Sequence, residues 1–543
     1  MQTIVVTRGL SISTMAMSTL TTRLIQTMFV ACAEDNDQSG VFSFRSLYDA
    51  YLNCRRHKRN ANNTLKFEAD LLGNLTNLQQ QLISGCYRPS RSVCFYTTKP
   101  KLREIIAADF RDRVVHHCLV SHLEKVFEPK FIYDSYGCRV NKGTHAAVRR
   151  LQQFIHKTSS NNQGHSSIPS YQSAWYLQLD IRSFFTSIDH NILLGLLAKQ
   201  RHDPQLMSLA EVIIRHKSTD NCVVRDKKNL GKHIPKHKSL FYTQPHKGLP
   251  IGNLSSQFFA NVYLNELDQF VKHQLKCRCY IRYVDDFILV HPSAVYLQHA
   301  KQEIALFLAN RLQLQLRDKP FLRPCSDGID FLGYITRRDY MLVRKRVIGN
   351  LRDKLKKFES EIVVRGMIGS QSYVQLHLQP QKVTQLQQTL ASYLGHFKHA
   401  NSHRLSKALF TRFDYLARIF VFDNSSQTLA MRTKPLVVPD SLSQQRAFYT
   451  HQVPNACVLM QLGRFCELFD KSAITASKCL GLKLCRNVRG FNAQTGFPMR
   501  HLKGVKRRLK LATQDYIVVA QQGMPRNGLQ PRVMTECFTM VGQ

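Results

Sequence analysis

The chain has 543 residues, with 76 Lys or Arg against 37 Asp or Glu, a net charge of +39 and a pI near 9.9. Self-repulsion on that scale disfavours compaction and suits a polyanionic partner, nucleic acid first, with a ribosomal-type or membrane-surface protein as the other class it admits. The length predicts more than one domain, the fifteen cysteines form neither a disulfide framework nor a zinc spacing, and no run approaches a membrane span, so reduced thiols and a cytoplasmic setting fit best.

Residues 1–44 read as an N-terminal extension, Thr/Ser/Met-rich and poor in acids to about Val30. It suits a transit-type or amphipathic lead-in, or a true start at Met15 or Met17, and carries no functional signal. From Phe44 to about Leu82 apolar residues recur at helical spacing among basic ones. VCFYTTKPKLREIIAADF (Val93–Phe110) carries strand-like runs around a Lys-Pro-Lys turn, and Thr158–Ser173 is a low-complexity, solvated insertion. YLQLDIRSFF (Tyr176–Phe185), an apolar run interrupted by Asp180, reads as a buried strand. Residues 217–246 are Lys/His-rich and polar, a loop beside nucleic acid or a merely solvated one. CYIRYVDDFILVHP (Cys279–Pro292) sets two apolar, β-rich runs around Asp285 and Asp286 without Gly or Pro, which predicts a hairpin with carboxylates at its tip. Helical patterns follow at 297–314, 347–362 and 390–420. A polar break at Asp423–Gln427, with Pro435 and Pro439 beyond, then precedes a separate small α/β domain.

Carboxylates inside apolar strands are expected to be paired, hydrogen-bonded or metal-bound, since burying one alone costs several kcal/mol. Asp180, Asp285 and Asp286 brought together would suit Mg2+, two ions about 3.5–4 Å apart holding the attacking and leaving oxygens of a phosphoryl transfer. An isolated Asp-Asp pair would more simply be a solvated turn; Tyr283 and Val284 before it, and Asp180 in a strand of its own, argue otherwise.

Six segments, in order, resemble the reverse transcriptase family over roughly residues 45–425. YVDD (Tyr283–Asp286) is similar to the palm motif and LDIRSFFTSIDH (Leu179–His190) to the first catalytic motif. KLREIIAADFRDRVVHH (Lys101–His117) resembles the fingers strand and its helix, and SYGCRVNKGTHAAV (Ser135–Val148) the template-side segment. GLPIGNLSSQFFANVYLNELD (Gly248–Asp268) resembles the dNTP-pocket motif, and GIDFLGY (Gly328–Tyr334) the primer grip. The resemblance implies an α+β right-hand polymerase: fingers at 45–170, a palm with an antiparallel sheet at 171–340 (insertion 217–246) and a helical thumb at 341–425.

By matched position, Asp180, Asp285 and Asp286 would be the catalytic and metal-binding carboxylates for two Mg2+ ions, with Mn2+ as a substitute. Phe185 would be a steric gate favouring dNTPs, or an ordinary core ring. Arg103 would hold the incoming base and phosphates, a task suited to a guanidinium, and Lys319 would protonate pyrophosphate. Arg139, Lys142 and Lys247 would contact backbone phosphates. The pocket motif departs from the usual Gln-Gly with Ser-Pro: Ile251, Gly252 and Gln257 stand in an Ile-Gly-x-x-x-Ser-Gln pattern. This pattern, with SYLGHFKHANSHRL (Ser392–Leu405), resembles diversity-generating retroelement reverse transcriptases, and implies misincorporation opposite template adenine. After a linker at 426–447, residues 448–543 resemble the mismatch-recognition domain of MutS, with Phe465 and Glu467 at its Phe-x-Glu pair; an apolar wedge of that kind unstacks mispaired steps.

The reading is an RNA-directed DNA polymerase, bacterial or phage-encoded. Its expected partners are a structured template RNA, the RNA/cDNA heteroduplex, dNTPs and a basic accessory protein or second copy, with no membrane. An antiphage reverse transcriptase using a noncoding RNA, or a catalytically idle RNA-binding scaffold, are the alternatives. The absence of a Cys/His endonuclease pattern argues against an intron maturase, and Phe185 against an RNA-copying RNA polymerase.

Overall fold

The computed structural model describes residues 40–541, apart from 57, 99–100, 161–173, 201–202, 227, 319, 436–438, 440, 489 and 526–528. Those described fall into two units: 40–147 with 174–323, and 148–160 with 324–541.

In the first unit, Ser43 caps α1 (Phe44–Arg55) by accepting the Ser46 amide at 3.2 Å, satisfying one of the free amides at a helix start. Apolar residues of α1, α2 (Leu71–Ile83) and α3 (Phe110–Phe127) share a core with α4 (Leu254–Gln269). Strands β1 (Ser92–Thr97) and β2 (Arg103–Ala107) form the antiparallel pair that the sequence suggests, and β4 (Cys222–Arg225) joins β1 in parallel. That strand lies in the segment expected to be a loop. The buried Glu104 carboxylate anchors the same segment, accepting from the Ser239 hydroxyl and the Leu240 amide, each at 2.8 Å. A carboxylate inside the fold needs such donors, so much of 217–246 is docked structure.

The second sheet of this unit runs β5-β6-β3-β7. It contains β3 (Trp175–Asp180), β5 (Tyr280–Tyr283), β6 (Asp286–His291) and β7 (Phe321–Pro324). Leu177, Leu179, Tyr280, Phe287 and Leu289 pack into the core together with Leu297, Ala300, Ile304 and Leu308 of α5 (Ala294–Leu312).

The second unit departs from expectation. Strands β8 (Ile329–Phe331), β9 (Tyr334–Thr336) and β10 (Met341–Val343) form a sheet of their own and cluster with the thumb segment, not with the palm expected to run to 340. The Tyr334 hydroxyl donates to the His396 carbonyl at 2.8 Å, tying β9 to α7 (Pro380–Phe397), which follows α6 (Lys345–Ile362). Between α6 and α7 the expected helical thumb is broken by a hairpin, β11 (Val363–Ile368) and β12 (Gln371–His377), turning at Gly369 with φ +60°. Paired β-branched residues at Val363 and Val364 favour strand over helix there.

The last hundred residues are not a separate sheet. An eight-stranded sheet of order β11-β12-β20-β19-β15-β16-β18-β17 joins the thumb hairpin to them, and the expected linker at 426–447 contains strand β14 (Thr428–Met431), paired with β13 (Phe420–Asp423), and the start of α8 (Leu442–Gln452). The remaining strands are β15 (Cys457–Leu462), β16 (Phe465–Phe469), β17 (Cys485–Val488), β18 (Phe491–Pro498), β19 (Tyr516–Gln521) and β20 (Arg532–Met540). Helices α9 (Lys471–Leu480) and α10 (Leu502–Leu511) cover one face. Successive side chains of a strand point to opposite faces. Cys457 and Leu459 of β15 therefore meet α9 and α10, while Val458 and Met460 meet a second core shared with α6, α7 and α8.

Phe538 of β20 is fully buried and stacks on Tyr516 with centroids 5.1 Å apart. Phe538→Ala is expected to cost about 3–5 kcal/mol in urea unfolding. Because β12 pairs with β20 along Tyr373–His377, hydrogen exchange of those amides should speed up in the variant. Unchanged exchange there would mean that the hairpin is stable without its sheet.

Candidate active site

The register of β3 on β6 sets Asp180 directly opposite Asp286, and that of β5 on β6 sets Tyr283 opposite Asp286. Val284 and Asp285 are therefore a two-residue turn, the hairpin tip expected from the sequence. Val284 has φ +58°, a conformation that tight hairpins need and that a β-branched residue adopts at a cost of about 1–3 kcal/mol. Asp180 ends its strand, so its carboxylate is 40 % exposed and not buried as the apolar run suggested.

What holds the strained turn lies beneath it. Arg282 and Asp268 are both fully buried and form a bidentate pair: Nε to Oδ1 at 2.7 Å and Nη2 to Oδ2 at 2.6 Å. The Tyr280 hydroxyl donates to the same carboxylate at 2.7 Å. Arg282 Nη1 donates to the Val284 carbonyl at 3.0 Å and to Asn261 Oδ1 at 3.3 Å, and Asn261 Nδ2 donates to the Gly137 carbonyl at 2.8 Å. Gly137 belongs to the segment expected along the template, which lies against β5: the Tyr136 amide donates to the Arg282 carbonyl, and the Arg282 amide to Asp134. A Cβ on Gly137 would come within 2.6 Å of Val284 Cγ2 and 2.7 Å of its amide nitrogen, so only glycine fits. Sequence reading missed Arg282, Asp268 and Asn261; the available signal was an arginine in the middle of an apolar strand, where a buried charge demands a partner.

The structure brings Asp180 and Asp285 together. Burial first, then the Asp180 charge, raises the Asp285 carboxyl from 3.8 to about 6, against the opposing pull of Arg103 and Lys101. Arg103 opens β2 with its side chain exposed, and its charge acts on Asp285. Arg317, not anticipated, pairs with Asp180 at 3.3 Å and donates its amide to the Asp180 carbonyl at 2.9 Å. Its near neighbour Lys319 lies outside the described residues. Asp286 is engaged differently, accepting from Gln178 Nε2 at 3.1 and 3.4 Å. Among the described residues no group of three or more His, Cys, Asp or Glu converges as a metal site. Asp180 and Asp285 present hard oxygen donors of the kind that Mg2+ prefers, and would be the protein groups to hold it.

Phe185 is half-buried, sits edge-on to Phe184 at 5.4 Å, and accepts the Leu249 amide on its carbonyl at 2.8 Å. That bond joins the Leu179–His190 segment to the Gly248–Asp268 segment. The Ile251 carbonyl accepts the Ile106 amide at 2.9 Å, and Gly252, at φ +133°, lies so close that a Cβ would sit 3.1 Å from the Ile106 carbonyl oxygen. Asn253 Oδ1 accepts the Ala108 amide at 3.0 Å, and Gln257 is exposed on the first turn of α4. Arg103 and the Ile251–Gly252 loop thus share β2 and its continuation as a common support.

Other expected contacts fare unevenly. Arg139 is a correction: its side chain is 6 % exposed, forms an ion pair with Glu128 at 2.8 Å and donates to the Ile132 and Ser135 carbonyls, so it braces the segment expected along the template and has no open face for phosphate. Lys142 lies over the Tyr133 ring at 3.4 Å, and that ring is 68 % exposed. Lys247 donates to Gln313 at 3.2 Å. In the second unit, Phe465 is 50 % exposed beside the Gly463–Arg464 turn, and Glu467, on the same face of β16, accepts from Gln494 at 2.7 Å.

Residues 97–336 match the family model described as reverse transcriptase (RNA-dependent DNA polymerase). The chain is 24% identical over 319 residues to Protein YkfC of Escherichia coli (strain K12), covering 52% of this chain and 75% of that one. It is 24% identical over 359 residues to the group II intron-encoded protein LtrA of Lactococcus lactis subsp. cremoris, covering 51% and 54%, so it spans about half of that relative's length. A solved apo telomerase from Candida tropicalis, truncated from its C-terminal domain, overlaps 47% of this chain and 55% of its own at 13% identity and a TM-score of 0.34, too loose to carry an argument. The chain carries a reverse transcriptase domain with group II intron-like relatives, which supports an RNA-directed DNA polymerase.

Asp268→Leu leaves Arg282 buried and unpaired and is expected to cost about 3–5 kcal/mol. Adding Arg282→Met should recover most of that loss in urea unfolding, since an apolar pair of similar volume replaces the ion pair. A double variant no more stable than Asp268→Leu alone would show that the pair is not the source of the loss.

Proposed function

We propose that this chain copies a dedicated structured RNA into cDNA, with Asp180 and Asp285 as the carboxylates that receive the primer end and the dNTP. The observation that carries the reading is the pairing of Asp180 opposite Asp286, with Asp285 in the intervening turn and its carboxyl raised to about 6 beside Asp180. A carboxylate pair that repels itself in a net +39 chain is a cost that a bound cation removes. Two Mg2+ ions, or Mn2+, bound there would help ionise a primer 3′-hydroxyl and neutralise the departing pyrophosphate.

In this reading Asp286, steadied by Gln178, supports the site beneath the primer end. Arg103 holds the dNTP phosphates, Phe185 excludes a ribose 2′-hydroxyl and Lys319 supplies the pyrophosphate proton. Gly252 and Gln257 shape the pocket. Lys142 and Lys247 touch the nucleic-acid backbone, and Phe465 with Glu467 engages mispaired or heteroduplex steps. Ile251 puts an apolar side chain where an amide would bond the nascent pair, so fidelity falls, most of all at template adenines, as a diversity-generating element requires. The intron-encoded relatives favour a second reading in which the chain also assists the folding of an intron RNA; RNA excision that persists in Asp285→Asn would support it.

Asp285→Asn separates ion binding from folding. A carboxyl raised from 3.8 to about 6 destabilises the metal-free fold progressively as pH rises from about 4 through 6, by at most about 3 kcal/mol above that window. At pH 8 without metal the variant should therefore melt higher than the parent. Mg2+ should raise the Tm of the parent and not of the variant, and primer extension on an RNA template should fall at least about a thousandfold, a loss of roughly 4 kcal/mol in barrier lowering. Extension that survives in Asp285→Asn defeats the assignment. Ile251→Gln should reduce misincorporation opposite template adenine when products are sequenced, and equal error spectra would remove the fidelity claim.

A further inference from the structure

Between Asp470 and Asp515 the sequence holds eleven Lys or Arg and no Asp or Glu. The fold gathers much of this stretch into the helical layer of the second unit. Ala473, Ala476 and Leu480 of α9, with Val505 and Leu509 of α10, face the sheet. The opposite sides expose Lys471 and Lys478 on α9, and Lys503, Arg507 and Arg508 on α10. Lys503 and Arg507 are four apart, hence neighbours on one side of the helix. Two other cations of α10 are already used: Lys506 pairs with Glu536 at 2.6 Å, and Lys510 lies over the Tyr373 ring at 3.8 Å. Among the described residues, no carboxylate pairs with the five exposed ones.

A solvated protein face ordinarily mixes its signs, and this chain does so elsewhere in the same unit. Glu361 serves both Lys357 and Lys382, and Arg365 pairs with Glu359 and Asp414. One-signed charge on the α9–α10 layer is therefore a local departure, and it carries a repulsion that a bound polyanion relieves. Residues 337–543 lie outside the reverse transcriptase match, so this surface is additional to the polymerase site.

We propose that the outward face of α9 and α10 is a second nucleic-acid contact, binding the phosphodiester backbone through Lys471, Lys478, Lys503, Arg507 and Arg508 without reading bases. The identification of the polyanion as nucleic acid rests on the polymerase reading above. Backbone neutralisation releases counterions, so each lost phosphate contact lowers the slope of log K against log salt by about 0.9 on duplex.

The test uses the full chain and a labelled RNA–DNA heteroduplex across a salt series. Lys503→Glu with Arg507→Glu is compared with Lys301→Glu and Arg311→Glu, a charge-matched pair on exposed positions of α5. The α10 pair should weaken binding about tenfold or more at 0.15 M salt, reduce the slope by about 2, and do so alike for unrelated sequences, with turnover at saturating primer–template unchanged. Lys503→Gln with Arg507→Gln should act in the same direction. A slope no lower than that of the α5 pair overturns the proposal, and so does loss of binding to phosphatidylserine vesicles with heteroduplex binding intact, which would assign the face to lipid. A parent chain that fails to extend primers, yet loses the slope in the α10 pair, would sink the polymerase reading and leave this surface standing.

Discussion

The fully buried guanidinium of Arg282 ties together three pieces of chain: the helix α4 that carries both Asn261 and Asp268, the segment around Gly137 that Asn261 holds in turn, and the turn that presents Asp285. Two buried charges gain little net stability from one another once desolvation is counted, and neither tolerates the loss of its partner. What the pair contributes is position. With Nε and Nη2 fixed by the Asp268 carboxylate, Nη1 has a defined direction, and that direction ends on the Val284 carbonyl.

That constraint explains how an unfavourable backbone survives at the centre of the site. A β-branched residue with positive φ is disfavoured wherever the chain is free to relax. Here the carbonyl of Val284 is held from below and its side chain meets the bare Cα of Gly137. Relaxing the turn would cost the hydrogen bond and open a void beside the glycine. Asp285 consequently stays beside Asp180, where burial and like charge raise its carboxyl while Lys101 and Arg103 pull it back.

The second unit solves a different problem with the same economy of chain. Its sheet buries both faces, so runs such as Val458–Met460 and Ile517–Val519 are apolar without alternation. The β11–β12 hairpin supplies two of the eight strands, which makes the C-terminal hundred residues part of a larger fold. Lysines there divide into those with a local task, such as Lys506 and Lys510, and those left facing solvent; only the second group adds to the field a polyanion would feel.

The sequence by itself determined the elements whose signal is local. The β3 and β5–β6 strands, with Asp180, Asp285 and Asp286 at their ends, were legible because hydrophobic pattern and hairpin propensity act over a few residues. The order of six motifs was legible only through their resemblance to reverse transcriptases. Tertiary structure alone decided which groups those carboxylates meet. Arg317 reaches Asp180 from a segment 137 residues away, Arg139 turns inward to Glu128 instead of outward to a backbone, and β12 finds β20 across the whole second unit. Pairings of that range depend on loop closure and on which buried charge is satisfied first, and neither quantity is written in any short window of residues.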